Sequence, residues 1–166
     1  MPDLLTHLAS AHIVRRSIEY SRENAWSGKE STLFYLGGIL PDLLSKPATI
    51  VFPNPEVIWF VSAAHTPAAV LFLSYLIVMV LKTEGRIVAM RFILGGTLLH
   101  FGLDIMQKHL ASGAYYWFFP FSWKTFNIPL FWPSDTILAI PFLVAGVFLL
   151  EVIQRYRRIA PPRRLA

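Results

Sequence analysis

The sequence predicts an all-α fold, an integral membrane helical bundle. About three transmembrane helices are expected, plus two N-terminal helices that are amphipathic or half-embedded. Three observations carry this. Of the 166 residues, 55% are apolar, and the mean hydropathy is +0.51. Only 15% are charged, against about 25% in an average soluble domain. Long apolar stretches occur at 67–81, 87–106 and 137–153, approaching the ~20 residues that cross a bilayer. The length suits one domain over 1–166, closed by a basic tail over 155–166.

The first element, Leu4–Tyr20, mixes Leu4, Leu5, Leu8, Ile13 and Ile18 with His7, His12, Arg15, Arg16 and Glu19. That is an amphipathic helix, lying in the interface or lining the interior. Asp3, His7 and His12 interrupt any signal-peptide core. The polar segment 22–31 reads as a loop, Thr32–Leu44 as a second short helix, and Pro47–Pro55 as a connector. Pro67–Leu81 is nearly all apolar and can extend back through Val57–Ala64, with Thr66 as N-cap and Pro67 at the first helical position. The polar turn Lys82–Arg86 joins it to Ile87–Met106 as an antiparallel hairpin. Arg91 within that helix either snorkels to the cytoplasmic side or pairs with Glu84, and Gly95-Gly96 permits close helix packing. Tyr115–Trp132 holds three of the five Trp and many Phe, as expected of an interfacial loop. Pro133-Ser-Asp135 opens the last helix, in which Pro141 introduces a kink.

Ionisable groups at membrane depth are costly, so each marks a candidate functional site. His100 and Asp104 lie four apart, on one helical face. Counted from Glu84, His65 is 19 residues back and His100 is 16 forward, so both lie roughly 24–28 Å from that turn at ~1.5 Å per residue. Counted from Asn24, His7 is 17 residues back and Asp42 is 18 forward. Two hairpins standing side by side bring three His and two Asp into one layer. Cysteine is absent, so any metal is held by His and carboxylates. The set suits one zinc ion, or two sharing a carboxylate, with another divalent metal as the alternative.

Asp3-Leu-Leu-Thr-His7, Leu36-Gly-Gly-Ile-Leu-Pro-Asp42, Ala64-His-Thr-Pro67 and Leu99-His-Phe-Gly-Leu-Asp104 stand in this order, followed by Gly113 and Pro120-Phe121. The ordered set resembles the membrane-bound metal-dependent hydrolases of bacteria and archaea, the YdjM-like group. It departs from that group at Ser62-Ala-Ala-His65, where a His-Arg-Gly approach to the Thr-His is common. The layout is also distantly similar to zinc-dependent phospholipase C. The resemblance implies His7, Asp42, His65, His100 and Asp104 as ligands, with Asp104 bridging two metals and Asp42 doubling as general base. It implies a phosphoester substrate, carried on a lipid.

Plainer roles remain open for the same residues. His100 and Asp104 form a hydrogen-bonded packing pair, His65 marks a helix start, Asp42 caps a turn, and His7 lies on an exposed helical face. His12 reads as structural or solvated, His109 as a spare, and Asp3 as an N-cap or as a partner to His7. Two functions follow: a membrane-bound metal-dependent hydrolase, or a non-catalytic membrane protein whose His/Asp cluster is structural. The Arg-rich tail places the C-terminus in the cytoplasm and the site toward the extracytoplasmic side of a prokaryotic inner membrane. Membrane lipids are the expected partners, with anionic-lipid contact by the tail and no nucleic acid.

Overall fold

The computed structural model describes residues 4–52, 54–108, 116–132 and 134–159. Asp3, His109, Gly113 and the tail from 160 onward lie outside the described residues. Among the described residues the fold is all-α, with six α-helices and no strand. They are α1 (Leu4–Arg22), α2 (Gly28–Val51), α3 (Pro55–Ala64), α4 (Pro67–Met79), α5 (Arg86–Ile105) and α6 (Asp135–Ile159).

Two of these helices are long and apolar enough to cross a membrane, rather than the three expected. They cover Thr83–Ile105, which includes a short 3-10 turn before α5, and Asp135–Tyr156. The stretch 57–81 is not one span because Pro67 has no N–H to give the Ala63 carbonyl. The Thr66 hydroxyl donates to that carbonyl instead, at 2.8 Å, and Thr66 caps a new helix. At ~1.5 Å per residue α4 reaches roughly 20 Å, short of a hydrocarbon core of ~30 Å. In the other direction, α2 continues to Val51 through Pro47, where a connector was expected. Likewise α6 runs through Arg155-Tyr-Arg-Arg158, so the basic cluster begins inside the helix.

The core is the crossing of α2 and α5, the most extensive helix pair. It is a backbone-to-backbone approach. A Cβ on Gly37 would overlap the Ile93 carbonyl, and one on Gly96 would overlap the Phe34 carbonyl. Small residues are what let two helices close to that distance. Pro41 leaves the Gly37 carbonyl without its helical donor, and the Thr97 hydroxyl from α5 supplies one at 3.2 Å. Around this crossing pack Leu40, Val70, Val78, Ala89, Ile93 and Phe101. Arg86 closes the α4–α5 turn by donating to the Leu81 and Met79 carbonyls at 3.0 and 2.9 Å, a cation at a helix C-terminus. Arg91 is exposed, and among the described residues it makes no ion pair with Glu84.

The first helix does not lie apart. A polar network ties α1 to α6: Arg16 Nη2 donates to Glu151 Oε2 at 2.7 Å, and His12 Nε2 lies 2.9 Å from Glu151 Oε1. Gln154 Nε2 donates to the Arg16 carbonyl at 3.0 Å. Glu19 is held by Arg16 Nη1 at 2.8 Å, Arg15 Nε at 3.2 Å and the Trp26 N–H at 2.9 Å. Burial opposes ionisation of Glu19, but these donors outweigh it and lower the pKa. The roles of the exposed faces follow from burial. Only 6% of the most apolar stretch of α6 is buried, against 39% for α5, so α6 turns its apolar surface outward while α5 serves as the core helix.

Candidate metal centre

The α2–α5 crossing sets the site. Four residues beyond the close approach at Gly96, α5 presents His100, and one turn further Asp104. Past the Pro41 break, α2 presents Asp42. The interruption between α3 and α4 places His65 at a helix end, and α1 brings His7 to stack on His100. All five are 2% exposed or less. The structure therefore gathers the whole set expected from the sequence, and it answers the plainer roles for two of them. His7 is not on an exposed face, and Asp42 lies within α2 rather than in a turn.

Hydrogen bonds on the outer nitrogens fix where the inner ones point. A carbonyl only accepts, so His100 Nδ1 donates to the Gly38 carbonyl at 2.8 Å and Nε2 keeps its lone pair. Ser45 Oγ donates to the Pro41 carbonyl at 3.0 Å, which leaves it to accept from His65 Nδ1 at 3.1 Å. His65 Nε2 then also carries a lone pair. Both lone pairs face Asp104 Oδ2, at 2.9 Å from His65 and 3.1 Å from His100. Lone pairs do not lie against a carboxylate without a cation, whether protons or a metal. The stacking of His7 on His100, centroids 3.9 Å apart at 18°, disfavours charging both rings. Burial also lowers the pKa of His7, keeping its imidazole in the neutral, ligating form.

The remaining separations suit a shared ion. His7 Nε2 is 3.6 Å from Asp104 Oδ1 and 3.9 Å from Asp42 Oδ2, and His100 Nε2 is 3.9 Å from Asp42 Oδ1. Ligands at ~2.0–2.1 Å from a tetrahedral zinc stand roughly 3.4 Å from one another. His7 Nε2, His100 Nε2, Asp42 Oδ1 and Asp104 Oδ1 are buried with no hydrogen-bond partner. Buried polar atoms left unpaired are rare and costly, and here they converge. Two triads, His7–Asp42–His100 and His65–His100–Asp104, each bring ligand atoms within 4.8 Å of one another. Phe101 walls the cluster edge-on to both His65 and His100, and Trp117 packs behind it.

Several contributors escaped sequence reasoning. Ser45 and Lys46, three and four residues after Asp42, share its helical face, and Lys46 is ion-paired to Asp42 Oδ2. Gln107, just past the end of α5, is also fully buried with both amide atoms unpartnered, but no side-chain hydrogen bond among the described residues ties it to the cluster. Helical spacing from Asp42 was the available signal for Ser45 and Lys46. His12, by contrast, belongs to the α1–α6 network through Glu151, and its Nδ1 lies 2.9 Å from the Tyr35 hydroxyl of α2.

No curated protein and no solved structure matches the chain, so the phospholipase C likeness gains no support from them. The profile of a family described as YdjM inner membrane protein matches residues 1–163. Nearly the full length is covered, motifs and bundle together, and the chain belongs to the YdjM inner membrane protein family.

Proposed function

We propose that this chain is a membrane-bound metal-dependent hydrolase, with zinc as the metal, acting on a phosphoester or lipid-borne substrate. The observation that carries the reading is the convergence of three imidazoles and two carboxylates, with His7 Nε2, His100 Nε2, Asp42 Oδ1 and Asp104 Oδ1 buried and without hydrogen-bond partners. His7, His65, His100 and Asp104 would hold the ion. When bound, it would supply Lewis acidity and bring the pKa of water beside it to about 7. The protein's own groups do the rest. Gly38 and Ser45 fix the tautomers of His100 and His65. Asp42, whose Oδ1 has no partner, takes a proton from the attacking water. Phe101 and Trp117 keep bulk water from that side.

Orientation follows from charge. Arg15, Arg16 and Arg22 on α1, Arg86 and Arg91 on α5, and Arg155 on α6 all fall toward the end of the bundle away from the centre. The positive-inside rule makes that end cytoplasmic and turns the centre toward the extracytoplasmic side. A second reading, a structural ion in a non-catalytic membrane protein, is favoured by the near-complete burial of all five residues, since structural sites are closed. Purified protein loaded with zinc decides between them on a panel of phosphomonoesters, phosphodiesters and phospholipids. Release of phosphate or headgroup that is lost in Asp42→Asn, with metal content kept, supports the enzyme. Metal without turnover supports the structural ion.

A further inference from the structure

Resting on the metal-dependent reading, we propose that the centre holds one divalent cation rather than two, and that Lys46 supplies the further positive charge and contacts the anionic group of the substrate. The argument begins with His100. Both candidate triads require it, yet its Nδ1–H is committed to the Gly38 carbonyl at 2.8 Å. Only Nε2 remains, and one lone pair binds one ion. The two triads are therefore alternatives around a common point, not two sites.

Asp42 leads to the same conclusion. Its Oδ2 is ion-paired with Lys46 and its Oδ1 is the atom assigned to the proton of the attacking water, so neither oxygen is left for a second ion. The ammonium already stands where another cation would be needed. Charge agrees with this. One divalent ion cancels Asp42 and Asp104, and Lys46 leaves the centre with a single positive charge. That surplus suits an anionic ligand such as a phosphate, whereas a second metal would leave a much larger one. Exposure gives Lys46 its position. Asp42 is 1% exposed while Lys46 is 29% exposed, so the lysine joins the buried cluster to its surroundings. Its ammonium, four residues along α2 from Asp42, is a point charge on a flexible stem that can meet an incoming phosphate while its partner stays buried.

The test uses the full chain in detergent, measuring metal per chain by elemental analysis and ligand binding by calorimetry. The probes are inorganic phosphate and phosphatidic acid in mixed micelles, with Lys46→Met and Lys46→Arg as variants. One zinc per chain in all three proteins is expected. Lys46→Met should bind either probe about tenfold more weakly or worse, the loss of one charge-assisted hydrogen bond. Lys46→Arg should retain most of the affinity, and its metal content controls for folding. The probe bound more tightly by wild type identifies a free or a lipid-borne phosphate. Two zinc ions per wild-type chain, or equal affinities in wild type and Lys46→Met, would overturn the proposal. A wild type with no zinc would instead overturn the metal-dependent reading beneath it.

Discussion

Removing the negative charge of Asp104 should abolish the coupling between metal and stability. Four buried atoms of the cluster, His7 Nε2, His100 Nε2, Asp42 Oδ1 and Asp104 Oδ1, lack partners. Each such atom costs about 1–3 kcal/mol, so a bound cation has several kcal/mol to recover. Free zinc at one hundred times its dissociation constant adds about 2.7 kcal/mol to the folded state. For a chain of this size each kcal/mol moves the melting temperature by roughly 2–4 °C, which gives a rise of about 5–10 °C. Asp104→Asn keeps the side-chain volume but removes the charge that faces His65, His100 and His7. Thermal unfolding in detergent, followed by circular dichroism across a zinc titration with chelator controls, reads both proteins. Wild type should show the rise and Asp104→Asn should stay within about 1 °C. Equal rises, or none in wild type, would refute the reasoning, because the unpaired atoms would then have some other resolution.

Three further predictions concern the scaffold. Gly96→Ala drives a methyl into the Phe34 carbonyl and should cost about 1–3 kcal/mol or more, whereas Gly102→Ala, with nothing within 4 Å, should cost far less; chemical denaturation compares them. Thr97→Val leaves the Gly37 carbonyl unpaired at the Pro41 break and should cost about 1–3 kcal/mol by the same measurement, despite its matched shape. Because Glu19 has a lowered pKa, its contribution is present above the unfolded value of about 4.3 and is lost as pH falls through the lower folded value. A pH series of melting temperatures should therefore fall less steeply in Glu19→Gln than in wild type on the acid side.

The convergence of the five residues was legible in the sequence because helical rise is fixed. Counting residues from Glu84 and from Asn24 places His65, His100, His7 and Asp42 at matching heights, and i, i+4 spacing pairs His100 with Asp104. Gly95-Gly96 signalled close packing for a similar reason, since only small residues admit it. The span count failed at Pro67. Thr66 and Pro67 do read as a helix start, but hydropathy alone carries the apolar run back across them to Val57, whereas the missing Pro67 N–H divides it into α3 and α4. The roles of Ser45 and Lys46 were not legible, because their polar groups acquire meaning only once α2 is packed against His65 and the rest of the bundle. The bond from His100 to the Gly38 carbonyl could not be read at all, as every residue carries a carbonyl and tertiary packing alone selects this one.

The most direct test is X-ray absorption at the zinc edge on protein reconstituted with one equivalent of metal. The account predicts a first shell of nitrogen and oxygen at ~2.0–2.2 Å with the outer-shell scattering of several imidazoles, lost in His100→Ala. A spectrum of hydrated zinc without imidazole scattering, or one unchanged by His100→Ala, would contradict it.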